Sequence, residues 1–216
     1  MLWSAGEAPA HRVTAAYRAT KRAMDALGAA LLLLVVSPAL LAVAVAVKLS
    51  SPGPVIYRQQ RLGRGGSHFT MLKFRTMVAD ADQRLHHNGL YERYVDSGYK
   101  LHPTEDCRHT PIGSFLRRTS LDELPQLWNV LRGQMSLVGP RPVVPKEIAL
   151  YGNLAHSYLA VRPGLTGLWQ VSGRSAIGYP ERCHIDLRYF EQRSIVTDVT
   201  ILARTPWVVV RGIGAH

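Results

Sequence analysis

The chain has 216 residues, room for one globular domain plus an anchoring element and too few for two full domains. Lys and Arg outnumber Asp and Glu by 26 to 15, a formal net charge of +11 that suits an anionic partner: a phosphorylated substrate, an acidic membrane face or nucleic acid. The two cysteines, Cys107 and Cys183, lie far apart with no C-x-x-C or His-rich spacing, which argues against a disulfide framework or a zinc site and fits a reducing compartment.

A basic N-terminal segment, 1–25, precedes 22 uncharged residues from Ala26 to Val47. At about 1.5 Å per residue such a helix could cross a bilayer core of about 30 Å. Pro38, preceded by Ser37, removes one backbone hydrogen bond near the middle of the run and pushes against the Leu34 carbonyl, so a bend is expected there. The Ser37 hydroxyl can satisfy the freed carbonyl. Four basic residues flank each end closely, so the positive-inside rule chooses no orientation. A Pro-kinked single span and a hairpin that enters the bilayer and returns both fit the run; the single span is the ordinary reading.

Ser51-Pro52-Gly53-Pro54 ends the membrane segment, taken as 26–50, and 51–216 reads as one catalytic domain. Val55–Arg61 and Phe69–Met77 are predicted as short strands joined by Gly63-Arg64-Gly65-Gly66. Ala79–Leu85 reads as helix, 88–106 as a polar surface loop, and Ile112–Arg118 as a short amphipathic helix or extended segment. Pro125 opens a helix that runs to Gly133. Further helices are predicted over Val144–Leu150, with a continuation through Ala155–Val161, and over Ile185–Arg204, interrupted by Pro206. The expected fold is α-rich α+β.

Asp122 and Glu123 hold the chemical interest. Ser120 and Glu123 match an S-x-x-E capping box, the ordinary explanation for such acids. Pro125, however, moves the helix start beyond them, and adjacent carboxylates suit different tasks, one attacking and one holding a metal ion. Lys73 and Arg75 lie on alternate residues, which puts them on one side of an extended segment. Arg117 lies just upstream of the acids; Arg141, Arg162 and Arg174 stand beside Gly or Pro, which hold a guanidinium fork in place at low entropic cost. Two carboxylates, a divalent cation and several arginines suit a pyrophosphate.

Five segments in order, Pro54-Val55-Ile56-Tyr57-Arg58-Gln59, Lys73-Phe74-Arg75-Thr76-Met77, Thr119 through Gln126, Ser136 through Pro142 and Pro163-Gly164-Leu165-Thr166-Gly167, resemble the bacterial sugar transferase family, the monotopic polyprenyl-phosphate phosphoglycosyl transferases. The resemblance implies transfer of a sugar-1-phosphate from a UDP-sugar to undecaprenyl phosphate with release of UMP, the step that initiates exopolysaccharide or glycan assembly. It implies Asp122 as the nucleophile of a covalent intermediate, Glu123 as a Mg²⁺ ligand, and Lys73, Arg75, Arg117 and Arg141 as phosphate-binding groups. It also implies a re-entrant membrane helix bent at Ser37-Pro38, amphipathic membrane-surface helices, and a catalytic domain on the cytosolic face of the bacterial inner membrane. Membrane lipids would be partners, and a homodimer is compatible with it. Gly167 through Ser175 resembles the hexose-using branch, a lean towards glucose or galactose. Two departures stand out: Asp106-Cys107-Arg108 replaces the usual Asp-Pro-Arg, and tryptophans are missing near Gln192-Arg193-Ser194. The rival from another class, a membrane-anchored basic nucleic-acid-binding protein, explains the charge, but no nucleic-acid-binding motif accompanies it. Adjacent acids also sit too close to flank a glycosidic bond at the ~5 Å or more that a glycosidase pair requires.

Overall fold

The computed structural model describes residues 13–87, 89–96, 101, 105–174 and 177–212. Helix α1, Ala15–Ser50, is followed by strands β1, Ile56–Leu62, and β2, His68–Phe74. Two short helices, α2, Ala81–His87, and α3, Tyr91–Asp96, lead to α4, Pro111–Thr119, and α5, Gln126–Leu131. Strand β3, Ser136–Val138, a 3-10 segment over Pro145–Leu154, α6, Ala155–Leu159, and β4, Gly164–Thr166, come next. Helices α7, Leu168–Ser172, α8, Glu181–Gln192, and α9, Ile195–Val210, complete the described chain. Among the described residues helix dominates, with two two-stranded sheets, as α-rich α+β predicts.

α1 is the one described helix long and apolar enough to cross a membrane. It starts well before the apolar run, capped by Thr14, whose side chain accepts from the Tyr17 amide, so no break separates a basic segment from a membrane segment at residue 25. Pro38 lies inside it, and the Ser37 hydroxyl donates to the Leu34 carbonyl at 2.8 Å, the replacement bond expected for the missing proline N–H. The helix touches the domain along one stripe. Ala29, Leu33 and Val36 pack with Met71, Leu127 and Leu137, while Leu40, Val43 and Val47 pack with Phe74 and Leu116. The spacing, three or four residues each time, is one face of a helix. Both ends are locked more firmly than the middle. Asp25 is buried and accepts from the Ser136 hydroxyl and the Leu137 amide, both at 3.0 Å. Arg22 donates to the Val130 and Leu131 carbonyls at the end of α5, and Lys21 binds Asp198 of α9 at 2.9 Å. At the other end Arg75 donates to the Val47 and Ser51 carbonyls. Ser37 and Pro38, between them, are exposed, and so are Leu27, Leu31, Leu34, Val35 and Leu41 on the outer face.

The β1–β2 hairpin is antiparallel, with Ile56 opposite Phe74 and Leu62 opposite His68. Alternation sends Phe69, Met71 and Lys73 to the same face of β2, with the first two in the core. Asn129 of α5 ties this strand down: its Oδ1 accepts from the Leu72 amide and its Nδ2 donates to the Thr70 carbonyl. The second sheet pairs β3 and β4 in parallel, Ser136 opposite Gly164 and Val138 opposite Thr166. Here backbones touch. A Cβ on Gly139 would collide with the Arg162 carbonyl, and one on Gly167 with the Gly139 carbonyl.

Several expectations change. The predicted Ile185–Arg204 helix is two helices, because Arg193 is extended and Ser194 starts a new one by accepting from the Thr197 amide. α9 also continues through Pro206, which points outward, where the loss of a single ladder bond is tolerated. The segment after Val144 is 3-10 rather than α-helical, and Gly152 at φ +48° turns it into α6. The hairpin extends to Leu62 but ends at Phe74, so Arg75 to Met77 lie beyond β2. Within the loop predicted over 88–106, α3 is ordered; residues 88, 97–100 and 102–104 lie outside the described part, as do residues 1–12 of the basic segment.

Candidate active site

The acids sit in a 3-10 turn, Leu121–Glu123, between α4 and α5. Ser120 ends α4 in the left-handed region at φ +58°, which redirects the chain, and its side chain caps nothing. The capping-box explanation therefore fails. Glu123 turns instead to Lys73 Nζ, 2.7 Å from its Oε1, with Arg141 Nη1 3.4 Å from the same oxygen. Asp122 is 7 % exposed, and its closest cation is Lys73 Nζ at 4.0 Å. Among the described residues it accepts no hydrogen bond from a side chain, so none of them takes up its lone pairs.

Environment separates the two carboxyls. Burial pushes Asp122 up to about 6, against the pull of Lys73 and with a further push from the Glu123 charge; Arg117 and Arg141 oppose it more weakly. Glu123 moves the other way: burial raises it, but Lys73 and Arg141, with Arg174 behind them, together hold it well below the usual range. One acid is a strongly neutralised carboxylate; the other is an ionised but under-solvated one at neutral pH.

The structure brings together Asp122, Glu123, Lys73 and Arg141 directly. Lys73 arrives as the last inward residue of β2, and Arg141 from the turn after β3, its carbonyl accepting from the Tyr158 hydroxyl and its guanidinium 5.8 Å from the Trp169 ring. Arg117 is close enough to influence Asp122 and bonds to His109 Nε2 at 2.8 Å, with Asp106 Oδ2 3.3 Å from the same nitrogen. Arg75 does not join the cluster. Because β2 ends at Phe74, alternation no longer pairs Arg75 with Lys73, and its buried guanidinium caps the C-terminal end of α1. Ser37 and Pro38 lie at the exposed middle of α1. The departure at Cys107 leaves its neighbours intact: Asp106 takes both Nε and Nη2 of Arg108 at 2.7 Å, and Cys107 is exposed.

Three site groups escaped the sequence reading. Arg61, Gln126 and Gln170 line the space beside Glu123 and Arg141. Arg61 Nε, Gln126 Nε2 and Gln170 Oε1 are buried and have no partner among the described residues. A buried polar atom without a partner costs about 1–3 kcal/mol, so three around one space point to a polar ligand or water there. Their signal in the sequence was slight: a glutamine in an otherwise apolar helix.

No described group of three His, Cys, Asp or Glu side chains could hold a metal alone. The residues nonetheless fit Mg²⁺, which takes one or two carboxylates and draws its other ligands from substrate phosphates and water. Lys73 and Arg141 both bind Glu123 Oε1, so Oε2 is available to a cation.

A long apolar helix with Pro38 inside it, clamped at both ends to a small helix-rich domain that carries a buried acid pair ringed by Lys and Arg, fits the class of membrane-anchored enzymes. Residues 16–212 match the model of the bacterial sugar transferases. The chain is 44 % identical over 191 residues to the exopolysaccharide production protein ExoY of Sinorhizobium fredii, covering 86 % of this chain and 83 % of that one. It is 42 % identical to the UDP-galactose-lipid carrier transferase of Erwinia amylovora and 40 % identical to the undecaprenyl-phosphate galactose phosphotransferase of Salmonella typhimurium. Each of these alignments takes in 92 % of this chain but 42 % of the longer protein. The chain belongs to the bacterial sugar transferase family and is an enzyme of the phosphoglycosyl transferase type.

Proposed function

We propose that the chain transfers a hexose-1-phosphate, glucose or galactose, from a UDP-sugar to undecaprenyl phosphate through a covalent intermediate on Asp122. The observation that carries this is the buried, unbonded Asp122 carboxylate set against a cation-bound Glu123. An Asp122 oxygen attacks the sugar-bearing phosphorus, the bond from that phosphorus to the bridging oxygen breaks, and UMP leaves with both bond electrons. The lipid phosphate then attacks the same phosphorus and releases the Asp122 carboxylate, giving a polyprenyl diphosphosugar. Lys73, Arg141 and Arg117 offset the charge of the pyrophosphate so that an anionic nucleophile can approach it. Mg²⁺, held by Glu123 and the substrate, would neutralise the departing phosphate. Glucose and galactose are favoured by the hexose-type Gly167–Ser175 segment and by galactose and glucose transferases among the relatives.

The same reading makes α1 re-entrant. Asp25 and Val47 would be about 33 Å apart on a straight helix, yet both are gripped by one polar domain. A domain holding both ends of a spanning helix would have to lie inside the bilayer with its charges. A helix anchored at both ends, with Ser37-Pro38 and the outer leucines exposed between them, instead enters one leaflet and returns. The outer face of α9, with Val196, Val199, Trp207 and Val210 exposed, would lie on that leaflet, on the cytosolic side of the inner membrane.

The test is a UMP-release screen across UDP-sugars with undecaprenyl phosphate and Mg²⁺. UDP-glucose or UDP-galactose should give the highest rate; release only from another nucleotide sugar would reject the hexose assignment. For topology, a cysteine placed at Thr14 should resist a periplasmic thiol reagent, and its labelling would reject re-entry.

A further inference from the structure

On a different part of the surface, a cleft of about 300 Å³ opens between the tip of the β1–β2 hairpin and the end of α5. Arg64, Arg132, Arg162 and His68 line it, no Asp or Glu does, and it shares no residue with the space beside Glu123. Among the described residues none of the three arginines is in an ion pair with a carboxylate. Two of them are positioned all the same. Arg162 donates from Nε to the Gly133 carbonyl at 2.8 Å, and Arg132 lies over the ring of Trp128, 5.2 Å from its centre. Burial, with Arg64 and Arg22 close by, makes the Arg162 charge less favourable than in water. Asp25, outside the cleft, offsets part of the Arg162 charge, but no acid lines the space itself. Like charges gathered in such a concave space match an anion from outside, and guanidinium forks match phosphate oxygens.

We propose that this cleft is a second phosphate-binding site, separate from the acid pair, which takes the phosphate of an anionic lipid headgroup. The position favours a headgroup over free phosphate. Arg22 lies against Gly133 at the cleft wall, four residues before the apolar run begins, and Trp128 is 44 % exposed beside Arg132, the combination of aromatic ring and cation found at headgroup level. The choice of a lipid rests on the membrane docking of α1 proposed above; the anion site itself does not.

The test uses the full chain in neutral detergent, titrated calorimetrically with dihexanoyl phosphatidylglycerol and, separately, with inorganic phosphate. The Arg64→Gln/Arg132→Gln variant, checked for folding by circular dichroism, is titrated alongside. The wild type should bind the lipid saturably, the variant at least tenfold more weakly, and inorganic phosphate should bind the wild type at least tenfold more weakly than the lipid. Equal lipid affinity in wild type and variant overturns the site. Phosphate binding as tight as the lipid's, lost in the variant, keeps the site and overturns the headgroup assignment. The variant should keep its UMP release in detergent within twofold, whereas Asp122→Asn should lose UMP release and bind the lipid normally, so a failure of either reading is visible alone.

Discussion

Two arginine-rich regions of this molecule use the same side chains to different ends. Around Asp122 and Glu123, Lys73 and Arg141 are balanced by carboxylates, and burial splits the two acids into one that titrates near 6 and one held far lower. In the cleft of Arg64, Arg132 and Arg162 no carboxylate is present. Cations alone make a place for phosphate to rest. On the proposed mechanism, a nucleophile and a metal ligand among them make a place for phosphate to react.

The sharpest way to break that contrast is to remove the proposed nucleophile. Asp122→Asn preserves size and should cut turnover by about 10³-fold or more, read as UMP release, whereas no single arginine of the distal cleft should cost more than twofold. Next in size, Glu123→Gln should reduce turnover by about 10²-fold and raise the Mg²⁺ concentration needed for half-maximal rate; an unchanged Mg²⁺ dependence would remove Glu123 from the metal site. Structure-holding groups come after. Asn129→Ala leaves the Leu72 amide and the Thr70 carbonyl without their partner, costing about 1–3 kcal/mol for each group left unpaired, so thermal unfolding should move to lower temperature.

The smallest effect concerns pH. As the proposed nucleophile, Asp122 would have to be ionised to attack, so its raised value of about 6 should set the acid limb of kcat/KM, with activity level above pH 6 and falling about tenfold per unit below it. Arg117 favours the ionised form, so Arg117→Met should carry that limb to higher pH. A limb that stays in place, or moves lower, would show that Arg117 acts elsewhere.

Much of this was legible in the sequence, for physical reasons that differ by element. The apolar run, its proline and the serine that repairs the Leu34 carbonyl are local facts, and the structure contains that bond. Strand alternation put Lys73 on the side that meets the acids, yet failed for Arg75 because the strand stops one residue earlier. Arginine beside Gly and Pro led to Arg141 and Arg174, which lie near Glu123, but Arg162 has the same neighbours and lines the other cleft. That difference depends on which backbone Gly139 and Gly164 allow to approach, a tertiary fact. Arg61, Gln126 and Gln170 were hidden for the same reason: an unpaired buried amide is a property of packing, not of spacing.

The central claim is that Asp122 is phosphorylated by the sugar donor before any acceptor arrives. Intact-mass analysis of the purified chain, incubated with Mg²⁺ and UDP-glucose or UDP-galactose but no lipid phosphate, tests it most directly. The account predicts a mass gain of one hexose phosphate per chain, absent in Asp122→Asn and discharged when undecaprenyl phosphate is added. No gain in mass, together with undiminished turnover in Asp122→Asn, would contradict it.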